Sequence, residues 1–529
     1  MVRSLAQQLR DVARERGDAP WLTTPRERTS WSQAWDGTRR AAAGLLDVGI
    51  GPGDRVGIFC RNGVEFIEMW FGAQAIGATV VPVNTGFTAR EASYVLNHAN
   101  VRLVLVDTDT APVVRSALDE VPSLTTVVVL DHSASHGALG AMEVSFASFV
   151  DQVEIAASLV HEPSDTDMAS ILYTSGTTGP PKGCMQGHGY FAFGARSVAA
   201  QLRLTSDDVM MCVLPLFHMN AQASSVATSL HVGAHLVLED RFSARGFWPR
   251  VREMGVTEFS YLGIISAALA KLPPSQDDRD HQLRVGFGAG MPADLHATFE
   301  ARFGIAMLEV FGMTETCIDL STDLVPDRRI GRRALGTAVP GKQARIVDDA
   351  GDTVPAGVVG HLQVRGDGMF QGYLDDEAAT QEAFDGDWFR TGDLASRDED
   401  DWFYYVDRSK DLIRRAGENI GSVEVEAVLA AHPRVATAAV IGVEDEMVGQ
   451  EVKALVVLQD GRAGSDEVCE DILRHCAAHL ATFKVPRYLQ VLSEFPRTES
   501  MKIRKTDLRR DFATARDSYE RPWRKVPTP

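Results

Sequence analysis

The sequence predicts an α/β fold, with a large N-terminal domain of layered sheets and helices followed by a small α+β C-terminal domain. Short apolar runs recur through the first 320 residues, and several of them are apolar on both faces. Helix-length amphipathic stretches lie between many of these runs, and the composition changes after Pro340. Strands that are apolar on both faces are typical of parallel sheets covered by helices, so the α/β class follows.

Six runs indicate strands of the large domain, in chain order. Each is a short apolar stretch bounded by polar or turn residues, which is the usual signature of a buried strand. The runs are residues 102–107 (RLVLVD), 125–131 (TTVVVLD), 210–217 (MMCVLPLF), 235–240 (HLVLED), 258–263 (EFSYLG) and 284–290 (RVGFGAG).

The change in composition divides the chain into two predicted domains, residues 1–408 and residues 409–529. The segment 400–415, DDWFYYVDRSKDLIRR, is dense in charged and aromatic residues, and we place a hinge there. Before it, the runs KQARIVDD and HLQVRG, separated by an Ala-Gly turn, predict a small β unit.

The segment beyond the hinge predicts a compact α+β domain. Ser422 is predicted to cap a helix that Pro433 ends, and Glu424 and Glu426 suit its positive N-terminal end. The runs VATAAVIGV and VKALVVL predict strands, and Ser465 is predicted to cap a second helix with one apolar face.

The composition excludes several classes of partner. The formal net charge of −19 argues against non-specific binding to nucleic acid or to an anionic membrane surface. No run of about 18 apolar residues occurs, so no membrane span is expected. The six cysteines form no C-x-x-C pair and the N-terminal segment lacks the apolar core of a signal peptide, so we expect a cytoplasmic protein. No pattern in the sequence specifies an oligomeric state.

The strongest chemical signal is the segment 171–183, ILYTSGTTGPPKG. It begins as a strand and breaks into small, hydroxyl-bearing and glycine residues. Hydroxyl groups, closely approaching backbone amides and a lysine together suit a polyphosphate. The residues that would supply these groups are Thr174, Ser175, Gly176, Thr177, Thr178 and Lys182. The spacing does not match the P-loop G-x-x-x-x-G-K-[ST], and the alternative is a flexible surface loop.

This segment resembles the phosphate loop of the adenylate-forming superfamily, which contains acyl-CoA synthetases, luciferases and peptide-synthetase adenylation domains. GIGPGDRVGIFCRNGVEF near residue 50 and GATVVPVN near residue 80 also resemble that family. The resemblance implies a large α/β domain followed by a small mobile one. It implies that a small acid and ATP give acyl-AMP and pyrophosphate, with Mg²⁺ bound and coenzyme A as the favoured acceptor.

The segment 309–316, EVFGMTET, resembles the family motif Y-G-x-T-E. The resemblance implies that Glu315 binds Mg²⁺ together with Thr174, and that Thr314 contacts the α-phosphate. Phe311 stands where the family usually has Tyr, and would stack on adenine. The alternative is a strand end with a solvated glutamate.

Two further segments resemble the walls of the family's nucleotide and acyl pockets. GAGMP, residues 288–292, resembles the strand that flanks adenine and lines the acyl pocket. The implied binding residues are Gly288, Ala289, Gly290 and Gly312. His218, in LPLFHMNAQ, stands where the family has an aromatic or histidine gate, and the alternative is a hydrogen-bonded histidine at a strand end.

The C-terminal motifs supply the remaining residues that the resemblance implies. Asp393, in FRTGDLA, would span the two ribose hydroxyls, with Arg408 as a second ribose contact and Lys410 at the hinge. PRTESMKIRK, residues 496–505, resembles the closing motif P-x-T-x-x-G-K-I, so Lys502 would bridge the acid oxygen and the α-phosphate. The alternative is a lysine in a basic surface run.

The segment 414–426, RRAGENIGSVEVE, resembles the acyl-CoA ligase form of the family, in which a loop that includes Gly417 and Glu418 meets the thiol. Ala416 and Met501 depart from the family's usual glycines. Three hypotheses follow. The first is an acid–CoA ligase. The second is an adenylating enzyme that uses another acceptor, such as an amine, or activates nitrite. The third is a nucleotide-binding protein without catalysis.

Overall fold

The structure is a computed structural model. It describes residues 3–130, 142–151, 161–174, 181–325, 327–408, 411–415, 418–445, 448–461, 464–497, 502–512, 514 and 518–521.

Helices in the described part of the chain are α1 (Leu5–Arg16), α2 (Trp31–Asp47), α3 (Val64–Ala75), α4 (Ala89–His98), α5 (Ala111–Ala117), α6 (Phe146–Asp151), α7 (His188–Leu202), α8 (Thr228–Val232), α9 (Ala244–Met254), α10 (Gly263–Ala270), α11 (Ala293–Phe303), α12 (Glu377–Glu382), α13 (Ser422–Ala430), α14 (Asp466–His479) and α15 (Lys505–Phe512). A π-helix spans Asn220–Ala227, and short 3₁₀ turns span Leu118–Glu120 and Thr482–Lys484.

The strands are β1 (Pro20–Thr23), β2 (Arg28–Ser30), β3 (Arg55–Phe59), β4 (Thr79–Pro82), β5 (Leu103–Val106), β6 (Thr126–Val129), β7 (Glu143–Ser145), β8 (Met168–Thr174), β9 (Lys182–Gly187), β10 (Val209–Cys212), β11 (His235–Leu238), β12 (Glu258–Leu262), β13 (Val285–Ala289), β14 (Ala306–Phe311), β15 (Leu320–Ser321), β16 (Ala334–Ala338), β17 (Lys342–Val347), β18 (Gly360–Gly366), β19 (Phe384–Asp385), β20 (Trp388–Arg397), β21 (Phe403–Arg408), β22 (Ile413–Arg415), β23 (Glu418–Ile420), β24 (Val435–Asp445), β25 (Gly449–Leu458), β26 (Tyr488–Val491) and β27 (Tyr519–Glu520).

The chain forms two compact units. The larger contains Met1–Ala344 and Val364–Phe389, and the smaller contains Arg345–Gln363 and Arg390–Pro529. The predicted α/β class, with a large N-terminal and a small C-terminal part, is therefore confirmed. The domain boundary at residue 408 stays a prediction.

Two mainly parallel sheets form the larger unit. One has the order β7-β6-β5-β3-β4-β8-β9, in which only the β8–β9 pair is antiparallel. The other includes the series β2-β1-β11-β10-β12-β13-β14, parallel except at β1–β2. Each of the six predicted runs overlaps one of these strands, because a run that is apolar on both faces is buried on both faces.

Local sequence signals start several of the covering helices. Three of them begin at capping boxes, in which a hydroxyl accepts a backbone N–H and a Gln or Glu side chain returns to the cap. The pairs are Ser4 with Gln7, Ser30 with Gln33, and Thr88 with Glu91. No described helix is long and apolar enough to cross a membrane.

The smaller unit holds a second mixed sheet of order β23-β22-β25-β26-β27, with β24 along β25. The predicted strands in VATAAVIGV and VKALVVL are β24 and β25, and the Ser465 hydroxyl caps α14 as expected by accepting from the Val468 amide. The prediction for Ser422 was wrong. Gly421 occupies the cap position of α13, and the Ser422 hydroxyl accepts from Lys505 Nζ at 2.6 Å.

All six cysteines are free and buried. Four lie in the larger unit, at Cys60, Cys184, Cys212 and Cys317, and Cys469 and Cys476 lie in the smaller one. The sequence-based expectation of no disulfide framework agrees with these positions.

Candidate active site

The predicted phosphate loop connects the two antiparallel strands β8 and β9. Thr174, the last residue of β8, lies directly opposite Lys182, the first residue of β9. The Lys182 ammonium lies 4.9 Å from the centre of the Tyr373 ring. Ser175, Gly176, Thr177 and Thr178 lie outside the described residues.

Four neighbouring parallel strands deliver most of the other residues predicted in the larger unit. The strands β10, β12, β13 and β14 all end at the same edge of their sheet. Ligands bind at this edge in α/β sheets. His218 follows β10, Gly288 and Ala289 end β13, Gly290 follows it, and Phe311 ends β14 just before Gly312.

The glycines at this edge are required by close backbone approach. A Cβ atom on Gly288 would lie 2.0 Å from the carbonyl oxygen of Tyr261. On Gly312 it would lie 1.9 Å from the carbonyl oxygen of Cys317. Any side chain at either position would therefore push the strand ends apart, and the sequence match at these glycines has a steric cause.

A buried glutamate that the sequence reasoning missed holds the loop after β13. The Glu309 carboxylate accepts from the backbone amides of Gly290 (3.0 Å) and Met291 (2.8 Å) and from the Tyr261 hydroxyl (2.7 Å). Burial raises the pKa of Glu309, and these donors oppose the rise. A charged residue inside the apolar strand sequence AMLEVF was the available signal.

Glu315 is buried in the turn that follows β14, and its position is set by two neighbours. The Tyr373 hydroxyl donates to Glu315 Oε1 at 2.9 Å, and the Phe370 amide donates to the Glu315 carbonyl at 2.7 Å. The adjacent carbonyl of Thr314 accepts from Gln186 Nε2 at 3.0 Å. The structure thus brings Lys182, Glu315 and Tyr373 together.

A fully buried ion pair lies behind this turn. Lys342 Nζ is 3.1 Å from Asp319 Oδ1, and neither side chain has any exposed surface. Lys342 Nζ also donates to the Thr316 carbonyl at 2.7 Å, and the Thr316 hydroxyl donates to Asp319. Burial raises the pKa of Asp319, while Lys342 opposes the rise. The pair fixes the segment that directly follows Glu315, from Thr316 to Asp319.

His218 stands just before the π-helix. Its amide donates to the Pro215 carbonyl at 3.1 Å, and its ring lies 4.6 Å from the Phe217 ring, centre to centre. These contacts place His218 at the carboxyl edge of the sheet. Its role as a gate stays a prediction. The π-helix itself had no sequence signal, although such helices frequently occur at functional sites.

The smaller unit brings three predicted residues together. Asp393 on β20 lies directly opposite Arg408 on β21, and Arg408 Nε is 2.8 Å from Asp393 Oδ1. Lys502 keeps an exposed surface, yet the protein atoms around its ammonium desolvate it and lower its pKa. The pKa of Lys502 is lowered further by Arg408 and raised by Asp393, so all three charges act on one another.

The two carboxylate oxygens of Asp393 are buried without well-oriented hydrogen bonds from the described residues. Only 1% of its surface is exposed, and neither carboxylate oxygen has a well-oriented hydrogen bond to any residue that the structure describes. Burial raises its pKa to about 6, although Arg408 acts in the opposite direction. Buried carboxylate oxygens without well-oriented hydrogen bonds are costly, so this pair of acceptors fits a ligand with two adjacent hydroxyl groups.

The remaining predicted residues belong to the predicted hinge and to the loop predicted to meet the thiol of coenzyme A. Lys410 and Gly417 lie outside the described residues, as do Ala416 and Met501. The backbone of Glu418 begins β23 and pairs with that of Arg415.

Comparison with known proteins identifies the family. The model of the AMP-binding enzyme family matches residues 9–374, and that of the AMP-binding enzyme C-terminal domain matches residues 424–502. The chain is 34% identical over 481 residues to a crotonobetaine/carnitine–CoA ligase of Escherichia coli (strain K12 / DH10B), covering 89% of this chain and 91% of the relative. A protein of the same description from Proteus mirabilis (strain HI4320) is also 34% identical, with 90% and 92% covered.

Solved structures give the same result. The anthranilate CoA ligase AuaEII in complex with anthranoyl-AMP superimposes with a TM-score of 0.87 at 26% identity, covering 96% of this chain and 97% of that one. A benzoate CoA ligase from Burkholderia xenovorans LB400 has a TM-score of 0.84 at 26% identity, with 96% and 99% covered. The chain therefore belongs to the AMP-binding enzyme family and is an AMP-forming ligase of the acyl-CoA synthetase type.

Proposed function

We propose that this ligase activates a small, polar carboxylic acid as its acyl adenylate and transfers the acyl group to coenzyme A. The observation that carries the assignment of its nucleotide site is Asp393, whose two buried oxygens accept no well-oriented hydrogen bond from the described residues, although Arg408 Nε lies 2.8 Å from one of them. A ribose supplies two adjacent hydroxyl groups, which would satisfy both oxygens at once.

Adenylation needs positive charge where negative charge develops. A carboxylate oxygen of the acid attacks the α-phosphorus of ATP, the bond from that phosphorus to the bridging oxygen breaks, and pyrophosphate leaves. The acid oxygen and the phosphoryl oxygens carry the charge, and preorganised cations lower such barriers most effectively. Lys502 is the proposed cation for this step, and Lys182 is the proposed contact for the outer phosphates.

Glu315 and Thr174 are the proposed protein ligands of Mg²⁺. A buried carboxylate oxygen is the ligand type that Mg²⁺ prefers, and the ion usually completes its shell with phosphate oxygens and water. Among the described residues, no group of three or more His, Cys, Asp or Glu could hold a metal ion. When bound, Mg²⁺ would neutralise charge on the phosphates.

The second step transfers the acyl group. The thiol of coenzyme A attacks the acyl carbon and forms the thioester bond. The bond between that carbon and the bridging oxygen breaks, AMP leaves with the oxygen, and the thiol proton passes to solvent. We assign the loop that contains Gly417 and Glu418 to this step because the segment 414–426 has the CoA-ligase pattern.

The π-helix supports a polar acid rather than a long alkyl chain. Gln222 is fully buried and its Nε2 donates to the Leu216 carbonyl at 2.6 Å, so its Oε1 is available as an acceptor. Gln222 Oε1 and Asn220 Oδ1 are both buried without a hydrogen-bond donor among the described residues. We place both oxygens beside the acyl pocket because they closely follow His218, the predicted gate. There they favour an acid that bears a cationic or N–H or O–H group, since an alkyl chain would leave them unmet. The crotonobetaine/carnitine and anthranilate specificities of the related ligases agree with that class.

The test is ATP-dependent pyrophosphate release with a panel of acids, each with and without coenzyme A. The panel contains crotonobetaine, carnitine, anthranilate, benzoate, o-succinylbenzoate, a long-chain fatty acid and nitrite. Release that requires one small polar acid, together with formation of its CoA thioester, would support the proposal. Preference for the fatty acid would contradict the polar pocket. Release only with nitrite or with an added amine would contradict the CoA acceptor.

Asp393→Asn is expected to weaken recognition of the ribose. A hydrogen bond to a charged group contributes about 1.5–3 kcal/mol, which is roughly 10- to 150-fold in affinity. The wild-type protein should therefore bind ATP about that much more tightly than 2′-deoxy-ATP, and the variant should lose most of this discrimination. Because the pKa of Asp393 is about 6, wild-type ATP affinity should also rise as the pH increases through 6, and the variant should lack this rise. Calorimetric titration measures both effects, and equal discrimination in the two proteins would remove Asp393 from the ribose site.

A further inference from the structure

One short segment of the larger unit, residues 370–374, connects the phosphate-loop hairpin to the turn that carries Glu315. It runs antiparallel to β9, where Tyr373 and Cys184 form an isolated β-bridge. The Gln371 amide donates to the Met185 carbonyl (2.7 Å), the Met185 amide to the Gly372 carbonyl (3.0 Å), and the Leu374 amide to the Gly183 carbonyl (2.8 Å). At its start, the Phe370 amide donates to the Glu315 carbonyl at 2.7 Å.

Tyr373 is the side chain of this segment that contacts both predicted phosphate-site residues. Its hydroxyl donates to Glu315 Oε1 at 2.9 Å, and its ring lies 4.9 Å from the Lys182 ammonium. A carboxylate oxygen is an acceptor, so the Tyr373 hydroxyl is the donor in this contact. The Phe370 ring packs edge-on against the Tyr373 ring at 4.9 Å, which restricts the ring's orientation.

The two contacts act on opposite charges. The hydroxyl holds one oxygen of the Glu315 carboxylate and thereby orients the other. The ring face attracts the Lys182 ammonium through its quadrupole and restrains a long, flexible side chain. Each of these groups would otherwise spend part of its time in positions that do not suit a metal-bound polyphosphate.

We propose that Tyr373 is a positioning residue for the metal–nucleotide complex, which orients the Glu315 carboxylate through its hydroxyl and the Lys182 ammonium through its ring. This inference rests on the proposed phosphate and Mg²⁺ roles of Glu315 and Lys182. It does not depend on the identity of the acid or of the acceptor.

Two substitutions separate the two contacts. Tyr373→Phe keeps the ring and its packing and removes only the hydroxyl, so it releases Glu315 while Lys182 keeps its partner. Tyr373→Leu removes both contacts. Tyr519→Phe is the matched control, because the Tyr519 hydroxyl donates to the Glu470 carboxylate at 2.8 Å in the smaller unit and is assigned no role in the site.

The measurement is ATP binding by calorimetry at a series of Mg²⁺ concentrations, which needs no acid and so remains valid if the acid assignment fails. Groups that orient a metal ligand typically change metal affinity by 10- to 100-fold. Tyr373→Phe should therefore raise the Mg²⁺ concentration for half-maximal ATP binding about tenfold. Tyr373→Phe should leave Mg²⁺-free ATP binding unchanged. Tyr373→Leu should weaken both Mg²⁺-dependent and Mg²⁺-free ATP binding.

Thermal denaturation of each variant without ligand separates positioning from folding. A Tyr373→Phe protein that melts like the wild type but needs more Mg²⁺ supports the proposal. If ATP binding by Tyr373→Phe depends on Mg²⁺ in the same way as in the wild type and in Tyr519→Phe, the proposal is overturned. Equal loss of Mg²⁺-dependent and Mg²⁺-free binding in Tyr373→Phe would also overturn it, because the effect would then be structural. If no ATP binds to the wild type at any Mg²⁺ concentration, the nucleotide site itself is wrong and the inference fails with it.

Discussion

Replacing Lys502 with alanine is expected to lower the rate of adenylation by about 10²- to 10³-fold, with little change in ATP affinity. The size follows from removing one preorganised charge that acts mainly in the transition state. The measurement is acid-dependent pyrophosphate release at saturating ATP, beside calorimetric ATP binding. Because the pKa of Lys502 is lowered, the wild-type rate should also fall on the alkaline side before the pH reaches the ordinary lysine value.

A neighbour in the same basic run supplies the control. Arg504 is exposed and pairs with Asp507 at 3.3 Å, one helical turn away. Exposed pairs of this kind contribute about 0–1 kcal/mol, so Arg504→Ala should keep nearly the wild-type rate. Equal losses in the two variants would mean that the run acts through its general charge, and the specific role of Lys502 would be rejected.

Replacing Lys342 with methionine is expected to destabilise the larger unit by about 3–5 kcal/mol. Methionine fills a similar volume, but it leaves Asp319 and the Thr316 carbonyl without the ammonium in a fully buried site. The measurement is the urea midpoint of unfolding at pH 7.5. The loss should be smaller at pH 5, since the variant's Asp319 can take up a proton when its pKa is raised above the unfolded value.

A second substitution, at Asp319, tests whether the charge of Lys342 causes the loss of stability. The double variant Lys342→Met with Asp319→Leu removes both charges, and buried ion pairs replaced by apolar residues are often close to neutral in stability. The double variant should therefore recover most of the lost stability. A double variant as unstable as Lys342→Met would show that Lys342 contributes through packing against Phe193 and Met369 rather than through its charge.

Local patterns predicted the strands because burial on both faces leaves a direct record in short apolar runs. The register of β20 and β21 explains why Asp393 and Arg408, far apart in the motifs, become neighbours. Both were named from the sequence, and the structure added the burial of Asp393 and its 2.8 Å ion pair with Arg408.

Contacts between distant buried polar residues were beyond sequence reasoning. Glu309 and Asp319 interrupt apolar segments, and Lys342 begins a strand of mixed composition. In such sequences a charged residue looks like a solvent-facing position until its partner is known. Tyr373 lies 58 positions from Glu315, and only the folded path of residues 370–374 brings the two together. Ser422 failed as a predicted cap for a related reason, since Lys505 takes its hydroxyl.

The burial of all six thiols turns the cysteines into built-in reporters of unfolding. Burial raises the pKa of each of them, so in the folded protein they are both hidden and largely protonated, and a thiol-directed reagent should react slowly. Because two thiols lie in the smaller unit and four in the larger, the mass added during a urea titration distinguishes the two. A gain of two labels would mean that the smaller unit opens first, and a gain of four that the larger does, so intact-mass spectrometry can assign each unfolding step without any introduced probe.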